Sequence, residues 1–380
     1  MRHLHFTQSL EPLQGGGLGS GAAALHEQML TQRVVSTLCA TRGDAPGKSR
    51  AAALEFRRIK PGFLYYSPTM HRRAVGLVQA TDVLHGHGLY VGPNFIFGRV
   101  AKQQRKPLVY HVHGMFEPYI LKRSRWKKRL VHALFEDANI RTVRLWRALT
   151  TKEAAQIRAC GYQAPIVIAP NGLNLSQYPR PAAKALEEIE TPQIKCLRKK
   201  KKRMLFLSRI HPKKGLDLLL PAWAQLGKER KDWELVIAGP DEQNYLSQIR
   251  KLASSSGVGE EILFTGTVTG EVKIALFYSA DVFVLPSYSE GLPVSLLEAM
   301  ACEVPVVATP ACNCPDIFPI GAGWSCESTL DSVAKALQAS VLASDFEREQ
   351  RGRLGRELVQ RSYSWDQITK TILQACATHC

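Results

Sequence analysis

The stretch PSYSEGLPVSLLEAMA (residues 286–301) carries two glutamates, Glu290 and Glu298, eight positions apart around the start of an apolar helix. Glu290 precedes a Gly-Leu-Pro turn, and Pro293 suits the first helical turn. At about 100° per residue, Val294, Leu296, Leu297, Met300 and Ala301 form one apolar arc, with Glu298 about 40° beyond Val294 at its edge. A carboxylate there only accepts hydrogen bonds, which suits a pair of vicinal hydroxyls such as a ribose. Glu290 stands beside the free amides of Gly291 and Leu292, which suit an anion or sugar oxygens. The plainer readings are an exposed helix residue for Glu298 and a charge complementing the helix dipole for Glu290.

Other residues could meet a phosphate. LSRIHPKKGLDLLL (207–220) sets Arg209, Lys213 and Lys214 just past a strand, before Gly215 and a helix. Cations beside a helix N-terminus make a diphosphate clamp, with arginine able to bind bidentately. QGGGLGSGAAALHE (14–27) reads as a glycine-rich loop between the first strand and the first helix, whose amides could approach a phosphate. A merely flexible loop is the alternative. Its spacing fits neither G-x-G-x-x-G nor a phosphate-binding loop ending in Gly-Lys-Ser/Thr, which disfavours a nicotinamide enzyme or an ATPase. DVLHGHG (82–88) and YHVHG (110–114) each hold a His-x-His pair that strand alternation puts on one face. Each pair sits at a strand end without a carboxylate to complete a ligand set, so no metal is expected. Cys312 and Cys314 stand too close for structural zinc.

These residues need a scaffold, and 380 residues suit two domains of ordinary size. Short β-runs alternate with longer helical ones, which predicts parallel sheets with crossover helices. In the first half the strands are expected near 2–7, 33–39, 54–59, 82–85, 107–112, 148–150 and 165–169. In the second half they are expected near 203–208, 233–239, 262–266, 282–287 and 305–310. The fold class is α/β: two doubly wound Rossmann-like domains whose sheets present their carboxyl ends to a shared cleft. The first domain is expected over 1–180 and the second over 203–362. Between them, 181–202 is rich in proline and charge and reads as a linker.

Composition narrows the class. Hydrophobic content of 45% and charged content of 22% are ordinary for a soluble enzyme. No stretch approaches ~18 apolar residues, so no membrane span is expected, and MRHLHFTQSLEPLQGGG has no apolar signal core. Nine cysteines scattered from Cys39 to Cys380 suggest free thiols in a reducing cytoplasm. Residues 1–190 hold 27 Lys+Arg against 12 Asp+Glu, a balance of +15; residues 191–380 hold 23 against 21, only +2. A basic half faces something anionic.

The motifs taken together resemble the retaining glycosyltransferases of family 4, with their two-Rossmann-domain GT-B fold and E-x7-E motif. The likeness runs through the glycine stretch, HVHG (111–114), PNG (170–172), SRIHPKKG, LVIAGP, ILFTGTV, SEGLPVSLLEAMA, PVVAT and the closing YSWDQI. It implies a hexosyltransferase that takes a UDP- or GDP-sugar and requires no cofactor. Gly16 and Gly17 would approach the diphosphate or sugar, and Arg209 and Lys214 would neutralise the diphosphate. Glu298 would bind the donor ribose, while Glu290, with Gly291, Leu292 and Pro293, would hold sugar hydroxyls. His113 would stand at the reaction centre. Gly239 would help bind the donor, Gly266, Thr267 and Val268 would line the base pocket, and Asn171 would lie on the hinge side. The closing helix, 363–380, would pack back on the first domain, and domain closure would exclude water from the donor.

Two departures stand out. Glu-Gly-Leu-Pro replaces the commoner Glu-Gly-Phe-Gly, and TPACNCPDIF (309–318) replaces a glycine-rich stretch, leaving Asn313 and Asp316 without an assigned role. The acceptor is expected to be a saccharide or lipid-linked saccharide of cell-surface polysaccharide synthesis. LKRSRWKKRLVHALF (121–135), a cationic run entering an amphipathic helix, suggests a cytoplasmic protein touching the anionic inner face of the plasma membrane. A nucleotide-sugar epimerase or phosphorylase would use the same architecture. A basic nucleic-acid-binding protein is the rival of another class, but the cationic runs lack interleaved aromatics, so no nucleic acid is expected.

Overall fold

A computed structural model describes residues 1–43, 52–59, 65–116, 136–179 and 201–380 of the chain, with 12–17 described by backbone only. Most of the expected linker, 181–202, and the whole basic segment 121–135 lie outside the described residues. The chain forms two compact units, Met1–Gly172 with Trp365–Cys380, and Leu173–Ser364.

The first unit holds β1 (His3–Ser9), α1 (Pro12–Thr31), β2 (Ser36–Arg42), β3 (Ala53–Arg57), α2 (Pro68–Gln79), β4 (Val83–His87), α3 (Gly92–Gln103), β5 (Leu108–His111), α4 (Asp137–Ile140), β6 (Val143–Ala148), α5 (Thr151–Ala159) and β7 (Ile166–Ile168). Its strands run parallel in the order β3-β2-β1-β4-β5-β6-β7. The second unit holds β8 (Lys202–Leu207), α6 (Leu216–Gln225), β9 (Trp233–Ala238), α7 (Leu246–Ser255), β10 (Ile262–Gly266), α8 (Gly270–Tyr278), β11 (Val282–Leu285), α9 (Val294–Ala301), β12 (Val306–Ala308), β13 (Gly323–Ser325), α10 (Leu330–Leu342) and α11 (Asp345–Ser362). Its order is β10-β9-β8-β11-β12-β13, again all parallel. The closing helix α12 (Trp365–His379) belongs to the first unit.

Both sheets reverse strand order once, between β1 and β4 and between β8 and β11. Loops leaving the carboxyl ends of such neighbours diverge to opposite faces, which opens a crevice for a ligand. Strands covered on both faces must be apolar along their length, and β8, β9, β11 and β12 are buried almost throughout. On the first unit, α12 lays Trp365, Ile368, Ile372 and Cys376 against Leu25, Met29, Val83, Val109 and Leu145.

Three expectations need correction. The glycine-rich stretch is not a loop: Pro12 opens a helix that runs through Gly15, Gly16, Gly17, Gly19 and Gly21 to Thr31. Gly16 and Gly17 therefore lie beyond the first four amides, so their N–H groups are spent inside the helix and do not face an anion. Gly19 serves close approach instead, for a Cβ on it would run into the Ser9 carbonyl oxygen. Strand β6 begins at Val143 rather than 148, because it buries Arg147, a residue that reads as loop in sequence. Strand β13, only three residues long, was not expected.

The packing of Gly19 gives an expected contrast with Gly76 in α2, beside which nothing lies within 4 Å. Gly76→Ala should stabilise by about 0.5–1 kcal/mol through helix propensity. Gly19→Ala should instead destabilise by about 1–3 kcal/mol, the usual cost of overpacking. Urea midpoints of the two variants check the pair; a stabilising Gly19→Ala would contradict the close approach.

Candidate active site

In the second unit, the loops after β8 and β11 flank the strand-order reversal. After β8 the chain passes Arg209 and makes a 3-10 turn, Pro212–Lys214, started by His211, whose Nδ1 accepts from the Lys213 amide at 3.0 Å. Gly215 then takes a left-handed φ of 73° to start α6, and a Cβ on it would strike the Pro286 carbonyl. This contact brings the β8 loop against the β11 loop. The Tyr288 amide donates to the Lys213 carbonyl at 2.9 Å, which ties the loops again.

Lys214 and Glu290 meet there. Lys214 Nζ donates to Glu290 Oε1 at 2.5 Å, and Ser287 Oγ donates to the same oxygen at 2.7 Å. Both side chains are nearly excluded from solvent, at 8% and 11% exposure. Asn313 fixes the backbone of this carboxylate, its Nδ2 donating to the Glu290 carbonyl from a left-handed turn at φ 53°. The Glu290 amide donates to Ala311, so the stretch that replaces the usual glycines is a cradle for Glu290. Asp316 points elsewhere, accepting from the Tyr363 hydroxyl at 3.5 Å.

Glu298 is a second, separate group. Pro293 is the N-cap of α9 rather than a residue of its first turn. Val294 is exposed, so the apolar face turns further than expected and takes Glu298 inside with it. There Glu298 Oε1 accepts from the Tyr178 hydroxyl and from Lys273 Nζ, both at 2.6 Å. Burial and the neighbouring carboxylate push the Tyr178 phenol well above its ordinary range. The plainer reading of Glu298 does not hold, since its side chain is buried.

Arg209 stands apart as an exposed side chain with both Glu242 oxygens on Nη1, at 2.7 and 2.9 Å. Gly239 has a φ of 140° and lies so close to the Ser208 carbonyl that no side chain fits. Its amide donates to the Gly266 carbonyl at 2.8 Å, which ties these two backbone positions together. Gly266 and Thr267 are exposed, whereas Val268 packs into the core. Gly291 has open space around it, and Leu292 packs partly against the core.

In the first unit His113 leaves β5 with a left-handed φ of 51°. The loop is held by Glu153, whose two oxygens accept from the Gly114 and Leu149 amides, while Thr150 caps α5. Buried Arg147 donates to the Ala169 and Pro170 carbonyls at 2.8 and 2.6 Å and to Asn171 Oδ1 at 3.2 Å. That shapes the PNG turn and sets Asn171 and His113 beside Gly21.

Residues 15–177 match the family model described as Glycosyltransferase Family 4, and residues 187–357 match Glycosyl transferases group 1. The chain belongs to the family 4 glycosyltransferases. The GDP-mannose-dependent alpha-(1-6)-phosphatidylinositol monomannoside mannosyltransferase of Mycobacterium tuberculosis is 31% identical over 231 residues, covering 55% of this chain and 55% of that protein. The O-antigen chain mannosyltransferase B of Escherichia coli is 25% identical over 347 residues, 88% of this chain and 85% of that one. Anabaena HepE, solved in complex with UDP and glucose, superimposes with a TM-score of 0.76 at 17% identity, covering 100% of both chains, which speaks for the GT-B fold. The chain spans about half the length of several curated relatives that it matches.

In this family 4 chain the structure joins Lys214 to Glu290 and leaves Glu298 and Arg209 in separate ion pairs. Sequence reasoning missed Lys273, Tyr178, Ser287 and Glu242, partners that only folding brings near. It also missed His3 and His5, though a third His-x-His in the first strand was a legible signal.

Proposed function

We propose that this chain is a retaining glycosyltransferase that moves a hexosyl group from a nucleoside-diphosphate sugar to a hydroxyl of a saccharide or lipid-linked saccharide. The observation that carries the reading is the Lys214–Glu290 pair, seated where β8 and β11 part. A nearly dry ammonium fixed at that point stabilises negative charge that develops on a departing diphosphate. Glu290, cradled by Ser287 and Asn313, offers a rigid acceptor for sugar hydroxyls beside that charge. The anomeric C–O bond to phosphate breaks while the acceptor oxygen bonds to the same carbon from the same face. The acceptor's proton passes to the departing phosphate oxygen, so no protein nucleophile is needed.

Glu298, held by Lys273 and Tyr178, is assigned to the donor ribose. A GDP-mannose-dependent relative and the HepE structure with UDP and glucose support a UDP- or GDP-sugar as the donor. Among the described residues no helix is long and apolar enough to cross a membrane. A lipid-linked acceptor would then be met at an anionic surface, for which the charge of 121–135 is the support.

A thermal-shift panel of UDP-, GDP- and ADP-sugars tests the reading, since a true donor at about 100 times its dissociation constant adds roughly 2.7 kcal/mol. With that donor, Glu298→Ala should raise KM by about 10- to 100-fold, the scale of one charged hydrogen bond. Glu290→Ala should depress kcat more than KM, because it orients the sugar as the bond breaks. Normal turnover by Glu290→Ala, or no response to any nucleotide sugar, would sink the assignment.

A further inference from the structure

β1, β4 and β5 are adjacent and parallel, and each carries a His-x-His pair: His3 and His5, His85 and His87, His111 and His113. Strand alternation puts all six imidazoles on one face, in two rows that run across the strands. In one row Arg147 Nη1 lies 3.3 Å from His111 Nδ1, His111 Nε2 is 3.0 Å from His85 Nδ1, and His85 Nε2 is 2.9 Å from His3 Nδ1. In the other, His113 Nε2 is 3.3 Å from His87 Nδ1, His87 Nε2 is 3.0 Å from His5 Nδ1, and His5 Nε2 is 3.3 Å from Met29 Sδ. All but His113 are fully buried.

A neutral imidazole has one N–H and one lone pair, so a row of them has a direction. Each row ends on a group with a single role. The Arg147 guanidinium only donates, so His111 accepts at Nδ1 and carries its proton on Nε2, and the same follows for His85. The Met29 thioether only accepts, so His5 carries its proton on Nε2 and accepts at Nδ1 from His87 Nε2–H. His87 in turn accepts at Nδ1 from His113 Nε2–H. The opposite sense would set two donors face to face at Arg147 and two lone pairs face to face at Met29.

We propose that His87, His5 and Met29 are positioning residues that lock His113 in its Nε2–H tautomer and so present its Nδ1 as the hydrogen-bond acceptor for a hydroxyl of the bound sugar. That a sugar hydroxyl meets His113 rests on the glycosyltransferase reading; the tautomer set by the row does not. The charged and titratable groups facing the rows are Arg147 from β6, His26 from α1, the N-terminal amine and Asp82 beside His3, and the imidazoles themselves, with Glu153 of α5 acting on Arg147. Burial and the Arg147 charge hold His113 down to about 3, so it stays neutral as an acceptor must. The row passes on orientation rather than protons, because a thioether cannot take one. A metal on His87, His111 and His113, whose ligand atoms lie within 4.8 Å of one another, would have to break both rows beside a guanidinium.

Nitrogen-15 spectra of the histidine rings in the full chain test this, recorded between about pH 6 and 8 with EDTA and with added zinc. The wild type should show His5, His87 and His113 as Nε2–H, without titration and without response to either addition. His5→Phe keeps a ring but cuts the row, so His113 should gain the Nδ1–H form and kcat should fall about tenfold, the worth of one hydrogen bond. His3→Phe cuts only the other row and should leave His113 and turnover as they were. An Nδ1–H or charged His113 in the wild type overturns the proposal, and that spectrum decides even if His5→Phe fails to fold. So does an unchanged His113 tautomer in a folded His5→Phe, or stoichiometric zinc that moves His87, His111 and His113 together. The expected tautomers in a protein that transfers no sugar would sink the functional reading and leave the row standing.

Discussion

Under the proposed function, changing Arg209 and Lys214 together to alanine is expected to lower transfer by about 10⁴-fold, since a preorganised group facing leaving-group charge is worth about 10²–10³. The two single variants should differ in stability. Arg209 is exposed and pairs with an exposed carboxylate, so its loss should cost at most about 1 kcal/mol. Lys214 is buried against Glu290, and removing it strands a carboxylate that keeps only Ser287 on Oε1. A cost of about 3–5 kcal/mol is expected, as for other broken buried pairs. The two side chains of the proposed clamp thus differ, Lys214 being part of the packed structure and Arg209 open to solvent. Lys214→Ala combined with Glu290→Gln should recover much of the stability and none of the activity. Melting curves beside initial rates separate the two effects, and a double alanine variant that still transfers sugar at a tenth of the normal rate would remove the clamp from the mechanism.

The first unit should be acid-sensitive to an unusual degree. Burial and mutual repulsion push His5, His85, His87 and His111 well below the ordinary imidazole range, and burial takes His3 to about 4 and His113 to about 3. The unfolded chain binds protons on these rings near pH 6.5, and the folded chain does not. Their contribution is therefore complete above that value and is lost as pH falls through it. Each ring costs about 1.4 kcal/mol per pH unit below 6.5, so six rings cost about 8 kcal/mol by pH 5.5. That rivals the whole stability of a domain, about 5–15 kcal/mol. Glu136 works in the other direction over part of the range. Buried and raised to about 7, it removes stability as pH climbs from its unfolded value toward neutrality. Urea midpoints between about pH 7.5 and 5.5 measure the balance; a slope of fewer than about two protons would mean that the rings accept charge in place.

The alternation of strands and helices was legible because a parallel sheet covered on both faces needs apolar runs, and β8, β9 and β11 are such runs. Lys214 and Glu290 could be picked out because both stand just past strand ends. What could not be read depended on burial that contradicts residue type. Arg147 looks like loop yet lies inside β6, satisfied by three carbonyl or amide oxygens and a histidine. The glycines of α1 look like a flexible loop yet form a helix, in which Gly19 permits close contact with Ser9. Tyr178 reaches Glu298 across 120 positions of sequence, a span over which no spacing rule operates.

The division of the chain also has a consequence for biosynthesis. The first unit lacks α12 until the whole of Leu173–Ser364 has been translated. Leu25, Met29, Val83, Val109 and Leu145, which α12 covers, are then without their lid on the ribosome. At about 5–20 residues per second that interval lasts roughly 10–40 s. Throughout it the nascent chain carries an apolar face suited to a holdase, and a message truncated before Trp365 would release a product that keeps it.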